Sequence, residues 1–168
     1  MKVSHNGIYV IHYFESCKLR AYPDPGSSDG NPWTIGWGHT GPEVTPGLVW
    51  TQEQADIIFL NDLKKFEEGV RSLVTVPLTQ GQFDALVSFS YNVGLDIDSD
   101  NVAQGLGDST LLRKINLLDY EGASMEFHKW NKSNGKIMLG LTRRRVAEEA
   151  LFNGMNGEQA IKQAQNIF

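Results

Sequence analysis

The sequence predicts an α+β fold, in which a small, turn-rich β lobe lies between an N-terminal helix and an all-helical remainder. Three observations predict it. Residues 19–50 hold five of the six prolines (Pro23, Pro25, Pro32, Pro42 and Pro46) and many glycines, punctuation that suits short strands and tight turns. Apolar residues recur at helical spacing before that stretch and again after it. The 168 residues contain no internal repeat and no linker long enough to separate independent domains, so one domain with two lobes is expected.

The elements follow in order. Ser4 is placed to cap a first helix over Ser4–Phe14, with Tyr9, Ile8, Ile11 and Phe14 on its apolar face. Leu19–Tyr22 and Trp33–Trp37 read as strands. Thr51 and Gln54 form a capping box that opens a long helix over about residues 51–74. Its Phe59, Leu63, Phe66, Val70 and Leu73 line one face, and Pro77 forbids continuation. Thr79 and Gln82 form a second box leading into Phe83, Leu86, Val87 and Ser90, with Gly94 as the C-cap. Further helices are expected over Ser109–Leu117, Tyr120–Trp130, Leu141–Phe152 and Glu158–Gln165. The β-rich lobe would then cover residues 15–50, and the helical lobe residues 1–14 and 51–168, joined by the long helix. The groove between two such lobes is the default ligand site.

Composition excludes several function classes. Hydrophobic residues at 40% and charged residues at 21% describe an ordinary globular chain, not a disordered one. A net charge of −5 argues against a wholly basic nucleic-acid binder. No apolar run approaches the ~18 residues of a membrane span. Met1-Lys2-Val3-Ser4-His5-Asn6 lacks the cationic-then-apolar order of a secretory signal, so none is expected. Cys17 is the single cysteine, which rules out an intrachain disulfide.

Several motifs lose on inspection. Gly36-Trp37-Gly38-His39-Thr40-Gly41 spells G-x-G-x-x-G, but a dinucleotide site needs a helix to start there, and Pro42 and Pro46 follow instead. Asp96-Ile97-Asp98-Ser99-Asp100 imitates a calcium loop, yet its sixth and twelfth positions are Asn101 and Gly107. A solvated acidic loop is the expectation there. His5, His12, His39 and His128 have no zinc-ligand spacing, and His39 is expected to make structural hydrogen bonds. No G-x-S-x-G occurs, and nothing marks Cys17 as a nucleophile.

The carboxylates beside the β lobe are more informative. Glu15 ends an apolar helix face, where a raised pKa suits a general acid. Asp24 lies in a Pro23-Asp24-Pro25-Gly26 turn, where it would stay ionised, and Thr34 lies in an aromatic strand. Two carboxylates in two environments, with a hydroxyl to hold water, are the minimum for glycoside hydrolysis. Most proteins own some such pair, so the pair alone decides nothing.

The order of motifs decides more. Phe14-Glu15-Ser16-Cys17-Lys18-Leu19-Arg20-Ala21-Tyr22-Pro23-Asp24, followed by Trp33-Thr34-Ile35-Gly36-Trp37-Gly38-His39-Thr40, resembles the catalytic stretch of phage-type lysozymes, glycoside hydrolase family 24. That family's pattern is F-E-G-x-x-L-x-A-Y-x-D, then W-T-I-G-Y-G-H-T. Phe83–Gly94, Ser109–Asn116 and Gly140–Arg145 with Glu148 and Leu151-Phe152 continue the resemblance over about residues 5–155. It implies a lysozyme-like α+β fold with Glu15, Asp24 and Thr34 as catalytic residues. It also implies sugar contacts at Tyr91 and Asn92, and one arginine, Arg144 favoured, facing the catalytic glutamate. Ser16 departs from the family's Gly, and the turn between Asp24 and Thr34 is longer than in the shortest members. Asp29 in that turn rivals Asp24.

The resemblance further implies a monomeric endolysin that cuts peptidoglycan glycan strands without metal or organic cofactor. It would stay in the host cytoplasm until a separate pore-forming protein releases it to the periplasmic wall. No nucleic acid or stable membrane insertion is expected. The rival reading is a non-catalytic peptidoglycan-binding protein on the same fold. From Lys129 to Arg145 the chain has six bases and no acid, a segment expected to face an anionic wall polymer. The triplet Arg143-Arg144-Arg145 would open a helix against the dipole preference, so an anionic partner is expected.

Overall fold

A computed structural model describes residues 1–98 and 100–168; Ser99, in the middle of the acidic run, lies outside the described residues. The chain forms two compact units, one of residues 12–65 and one of residues 1–11 with 66–168.

In the 12–65 unit, three short strands pair antiparallel in the order β1 (Lys18–Tyr22), β2 (Thr34–Gly36) and β3 (His39–Thr40). Tyr22 pairs with Thr34, Thr34 with Thr40, and Ile35 with His39. The chain then returns along the free side of β1, where Trp50 N–H donates to Leu19 O at 2.8 Å and Ala21 N–H to Leu48 O at 2.9 Å. Ala21, Ile35 and Val44 form the buried core of this sheet, with Trp33, Leu48 and Trp50 packed on it. The β2–β3 turn needs glycine at Gly36, where φ is +65° and an added Cβ would lie 3.0 Å from the Trp50 ring. Here the G-x-G-x-x-G run serves a hairpin turn, and no helix begins until α2 (Gln52–Leu73). The expected capping box opens α2: Thr51 Oγ1 accepts from Gln54 N–H at 3.1 Å, and Gln54 Oε1 from Thr51 N–H at 2.9 Å.

The helical unit is built on α3 (Gln80–Val93), whose Phe83–Ser90 segment is buried throughout. Its ends match the sequence signals, with a reciprocal Thr79–Gln82 box and Gly94 at φ 100° as the C-cap. The helix α1 (His5–Phe14) starts just after Ser4, but the Ser4 hydroxyl does not cap it. That hydroxyl donates to Asp84, and Ser4 N–H donates to the same carboxylate at 2.9 Å. A buried carboxylate 80 residues away therefore outcompetes the local cap.

The rest follows the chain: α4 (Thr110–Asn116), α5 (Tyr120–Ser124), α6 (Leu139–Phe152) and α7 (Gly157–Gln165). Two expectations need correction. The expected helix over Tyr120–Trp130 ends at Ser124 and resumes as a 3₁₀ turn over Phe127–Lys129. The break lets two adjacent residues turn inward. Phe127 meets the rings of Phe89 and Phe152, and Glu126 receives Lys114 and Lys129. Second, a hairpin pairs β4 (Lys132–Ser133) with β5 (Lys136–Ile137). Its turn is Asn134-Gly135, both at positive φ, the backbone a two-residue hairpin prefers. That dipeptide is a signal readable from sequence. Among the described residues no helix is long and apolar enough to cross a membrane.

Candidate active site

Glu15, Asp24 and Thr34 all belong to the 12–65 unit. Glu15 is the first residue beyond α1 and is half-buried. Its position is fixed three residues earlier. His12, on the last turn of α1, stacks on Trp37 with ring centroids 3.8 Å apart and 7° between planes. Phe59 closes a second side of the imidazole at 4.5 Å, and Trp37 Nε1–H donates to Asp56 at 2.8 Å. The helix end that presents Glu15 is thus pinned to the β2–β3 turn and to α2. Burial pushes the His12 pKa down against the opposing charge of Asp56. The sequence shows no role for His12 beyond excluding zinc. Its ring partners lie 25 and 47 residues away in the chain and leave no local signal.

Glu15 also acts on the sheet. Burial, and then the Glu15 charge, push the Tyr22 phenol pKa up. Since Tyr22 pairs with Thr34, the Glu15 carboxylate lies within electrostatic reach of the strand pair that carries Thr34.

Asp24 stands at the mouth of the turn that leaves β1. Its N–H donates to Gly30 O at 2.9 Å, and its Oδ1 accepts from Gly26 N–H at 3.1 Å. The turn therefore closes on itself and brings the chain back to Thr34. Among the described residues neither Asp24 Oδ2 nor the Thr34 hydroxyl has a protein partner. Both residues are half-buried. The rival Asp29 is differently employed. Its Oδ1 accepts from Ser27 Oγ at 2.6 Å and from Asn31 N–H at 3.0 Å, and its Oδ2 from Asn31 Nδ2 at 3.2 Å. Those bonds pull its pKa down to about 2. Asp29 braces the turn.

His39 has the structural role the sequence predicts. Its Nδ1 lies 2.6 Å from Asp62 Oδ2 and its Nε2 lies 2.5 Å from Glu43 Oε1. Burial works against the charged ring, but the two hydrogen bonds and the carboxylate charges outweigh it, and the pKa rises above 6.5. A folded-state pKa above the unfolded one adds stability at low pH, and that contribution is lost as pH rises through the folded value. The destabilisation caused by His39→Gln is therefore expected to be largest near pH 6 and to shrink toward about pH 9. Urea midpoints for both proteins at the two pH values check this. A constant difference would show that the ring's charge contributes nothing.

The other sequence-predicted residues belong to the helical unit. Tyr91 packs its ring 5.2 Å from that of Phe66, and Asn92 is exposed at the end of α3. The arginine triplet does not open its helix. Because α6 begins at Leu139, Arg143, Arg144 and Arg145 occupy its second turn. Arg144 is 3% exposed and Arg145 fully buried. The expected anionic partner is Glu148, itself fully buried. Its Oε1 lies 3.1 Å from Arg144 Nε and 2.8 Å from Ser88 Oγ, and its Oε2 lies 3.0 Å from Arg145 Nε. Arg144 Nη2 donates to Ser88 O at 3.1 Å, and Arg145 Nη2 donates to Asn92 Oδ1. Arg145 also lies 5.1 Å from the centre of the Phe89 ring.

The basic segment is accordingly less of a surface than its sequence implies. Lys129 is paired with Glu126, and Arg143 donates to Ile167 O at 3.0 Å. Lys132 and Lys136 on the hairpin remain exposed. In the acidic run, Asp96 Oδ2 accepts from Gln104 and Gly105 N–H at 2.9 and 3.1 Å, which closes that loop.

Known proteins are similar to this chain in sequence and fold. The profile of the phage lysozyme family matches residues 12–148, a span that contains Glu15, Asp24, Thr34, Tyr91, Asn92 and Arg144. The endolysin of Bacillus phage B103 is 42% identical over 152 residues, covering 90% of this chain and 54% of that protein. The chain thus spans about half the length of the Bacillus phage relatives it matches. The endolysin of Salmonella phage P22 is 38% identical over 156 residues, covering 90% of this chain and 98% of that protein. The solved muramidase domain of SpmX from Asticaccaulis excentricus superposes with a TM-score of 0.76 at 36% identity, covering 90% of this chain and 97% of that one. By family profile, sequence and α+β fold alike, this chain belongs to the phage lysozyme family.

Proposed function

We propose that the chain is an endolysin that hydrolyses the β-1,4 bond between N-acetylmuramic acid and N-acetylglucosamine in bacterial peptidoglycan. The observation that carries this reading is the 12–65 unit itself. A pinned helix end presents Glu15, and one closed turn returns Asp24 to Thr34 with an oxygen of each left uncommitted. Glu15 donates its proton to the leaving glycosidic oxygen as the C–O bond breaks. Asp24 and Thr34 hold a water on the opposite face of the sugar, and Asp24 takes its proton as the oxygen attacks. The configuration at the anomeric carbon inverts. Tyr91 and Asn92 are assigned sugar contacts. Arg144, being buried, is assigned a positioning role through Ser88 and Glu148.

Digestion of purified peptidoglycan tests the bond. New reducing ends on muramic acid are expected; reducing ends on glucosamine would overturn the bond assignment, and none at all would favour a binding protein. Thr34→Ala is expected to cost about tenfold or more in turnover, the worth of one hydrogen bond to the attacking water. By the same reading the protein acts as a monomer and reaches the wall through a pore made by another protein.

The exposed lysines of the hairpin give a further expectation. If they attract the anionic wall, Lys132→Glu with Lys136→Glu slows lysis most at low salt. The deficit should close as the screening length falls from about 30 Å at 0.01 M to about 8 Å at 0.15 M. A deficit independent of salt would place their effect in stability instead.

A further inference from the structure

The sequence contains four Asn-Gly dipeptides: Asn6-Gly7, Asn134-Gly135, Asn153-Gly154 and Asn156-Gly157. Each offers the reactants of one reaction that needs no enzyme. The backbone nitrogen of the glycine attacks the side-chain Cγ of the asparagine, a cyclic imide closes, and ammonia leaves with the proton of the glycine N–H. Glycine suits the step because no Cβ shields its nitrogen. Two conditions decide whether a fold permits it. The glycine N–H must be free of a hydrogen-bond acceptor, and the backbone must turn until nitrogen and Cγ are about 3–3.5 Å apart.

The fold prevents this at three of the four. One hydrogen bond disables two of them. Gly157 N–H donates to Asn6 Oδ1 at 2.9 Å, which occupies the nucleophile of one pair and holds the amide of the other. Gly7 is moreover buried in α1, where an added Cβ would lie 2.6 Å from Val3 Cγ1 and 2.9 Å from Asp84 Cβ. Asn156 Oδ1 is itself engaged by Gln159 N–H at 2.9 Å. Gly154 N–H donates to Leu151 O at 3.0 Å, just beyond the end of α6.

Asn134-Gly135 differs on every count. Both residues are exposed at the tip of the β4–β5 hairpin. The ladder pairs Ser133 with Lys136 and Lys132 with Ile137, so it uses neither the Gly135 N–H nor the Asn134 amide. Among the described residues nothing else bonds to either. Little holds the turn closed. Each strand is two residues long, every residue from 132 to 140 is exposed, and a two-stranded hairpin is marginal by itself. Local opening, without global unfolding, is then enough to reach the reactive geometry.

We infer that Asn134 is a site of spontaneous deamidation in the folded protein, the one of the four Asn-Gly sites that the fold leaves open. Water opens the imide at either carbonyl. One product is aspartate; the other is isoaspartate, whose main chain runs through the former side chain and is one carbon longer. Either product sets a new carboxylate between the two lysines of the hairpin, Lys132 and Lys136. Isoaspartate also breaks the Ser133–Lys136 register, which the two-residue turn fixes. The reaction draws on no catalytic residue and proceeds whatever bond the protein hydrolyses.

The test holds the purified full chain in warm, mildly alkaline buffer, beside the same protein in guanidinium chloride. Proteolytic peptide mapping by mass spectrometry follows all four asparagines. In the folded protein Asn134 is expected to convert at least about tenfold faster than Asn6, Asn153 or Asn156, with isoaspartate beside aspartate. In denaturant the four rates should draw together, because glycine follows each asparagine alike. An unconverted Asn134, or four similar rates in the folded protein, would overturn the assignment. So would an equal lead for Asn134 in denaturant, since the fold would then not select it. Aspartate without isoaspartate would overturn the imide step, because direct hydrolysis of the amide gives aspartate alone.

Discussion

Glu15→Gln is expected to abolish nearly all glycan hydrolysis while leaving the protein folded. The amide keeps the shape of the side chain but has no proton to give the leaving oxygen. General acid–base catalysis contributes roughly 10²–10⁴-fold, so turnover should fall by at least that much. Binding of short glycans should persist, because the walls that hold the sugar are untouched. The His12–Trp37 stack and the Trp37–Asp56 hydrogen bond hold the helix end and are left in place by the substitution. Thermal unfolding beside a reducing-end assay checks both halves. A folded variant with unimpaired hydrolysis would remove Glu15 from the mechanism.

Glu148→Gln is expected to have the largest effect on stability. The carboxylate is fully buried and faces two buried guanidinium groups at 3.1 and 3.0 Å. Removing its charge takes an anionic partner from both cations in a medium that solvates them poorly. Breaking a buried pair from one side costs roughly 3–5 kcal/mol. For a chain of this length that corresponds to a fall of about 10 °C in Tm. The same principle makes a contrasting case: replacing all three groups by apolar residues of similar volume would cost far less, because no charge is stranded. A Glu148→Gln protein with a Tm near that of the parent would show that water or another group reaches the pair.

How much of this is legible in the sequence depends on the range of the signal. The capping boxes at Thr51–Gln54 and Thr79–Gln82 are readable because both partners lie within one helical turn, and both boxes form. The β lobe is readable from its prolines and glycines, and the family resemblance brings Glu15, Asp24 and Thr34 forward as a set. The Asn134-Gly135 turn is equally local, but the charges around it draw the eye away from the dipeptide. Ser4 and the arginine triplet mislead for another reason. The Ser4 hydroxyl goes to Asp84 and the Arg144 guanidinium reaches Ser88, 80 and 56 residues away. No spacing rule announces such partners. A run of bases looks like a surface until the fold supplies a buried acid, and here Glu148 is only four residues from Arg144. The i,i+4 pair is visible in the sequence; its burial is not.

Thr34 is a holder of water, not a bystander, only if water attacks the sugar directly, and the proposed mechanism stands or falls on that role. A retaining enzyme would need a carboxylate within about 5 Å of the acid to attack in its place. Time-resolved NMR of the first sugar released from a β-linked glycan reads the difference before mutarotation blurs it. The α-anomer appearing first is the predicted result, and the β-anomer appearing first would contradict it.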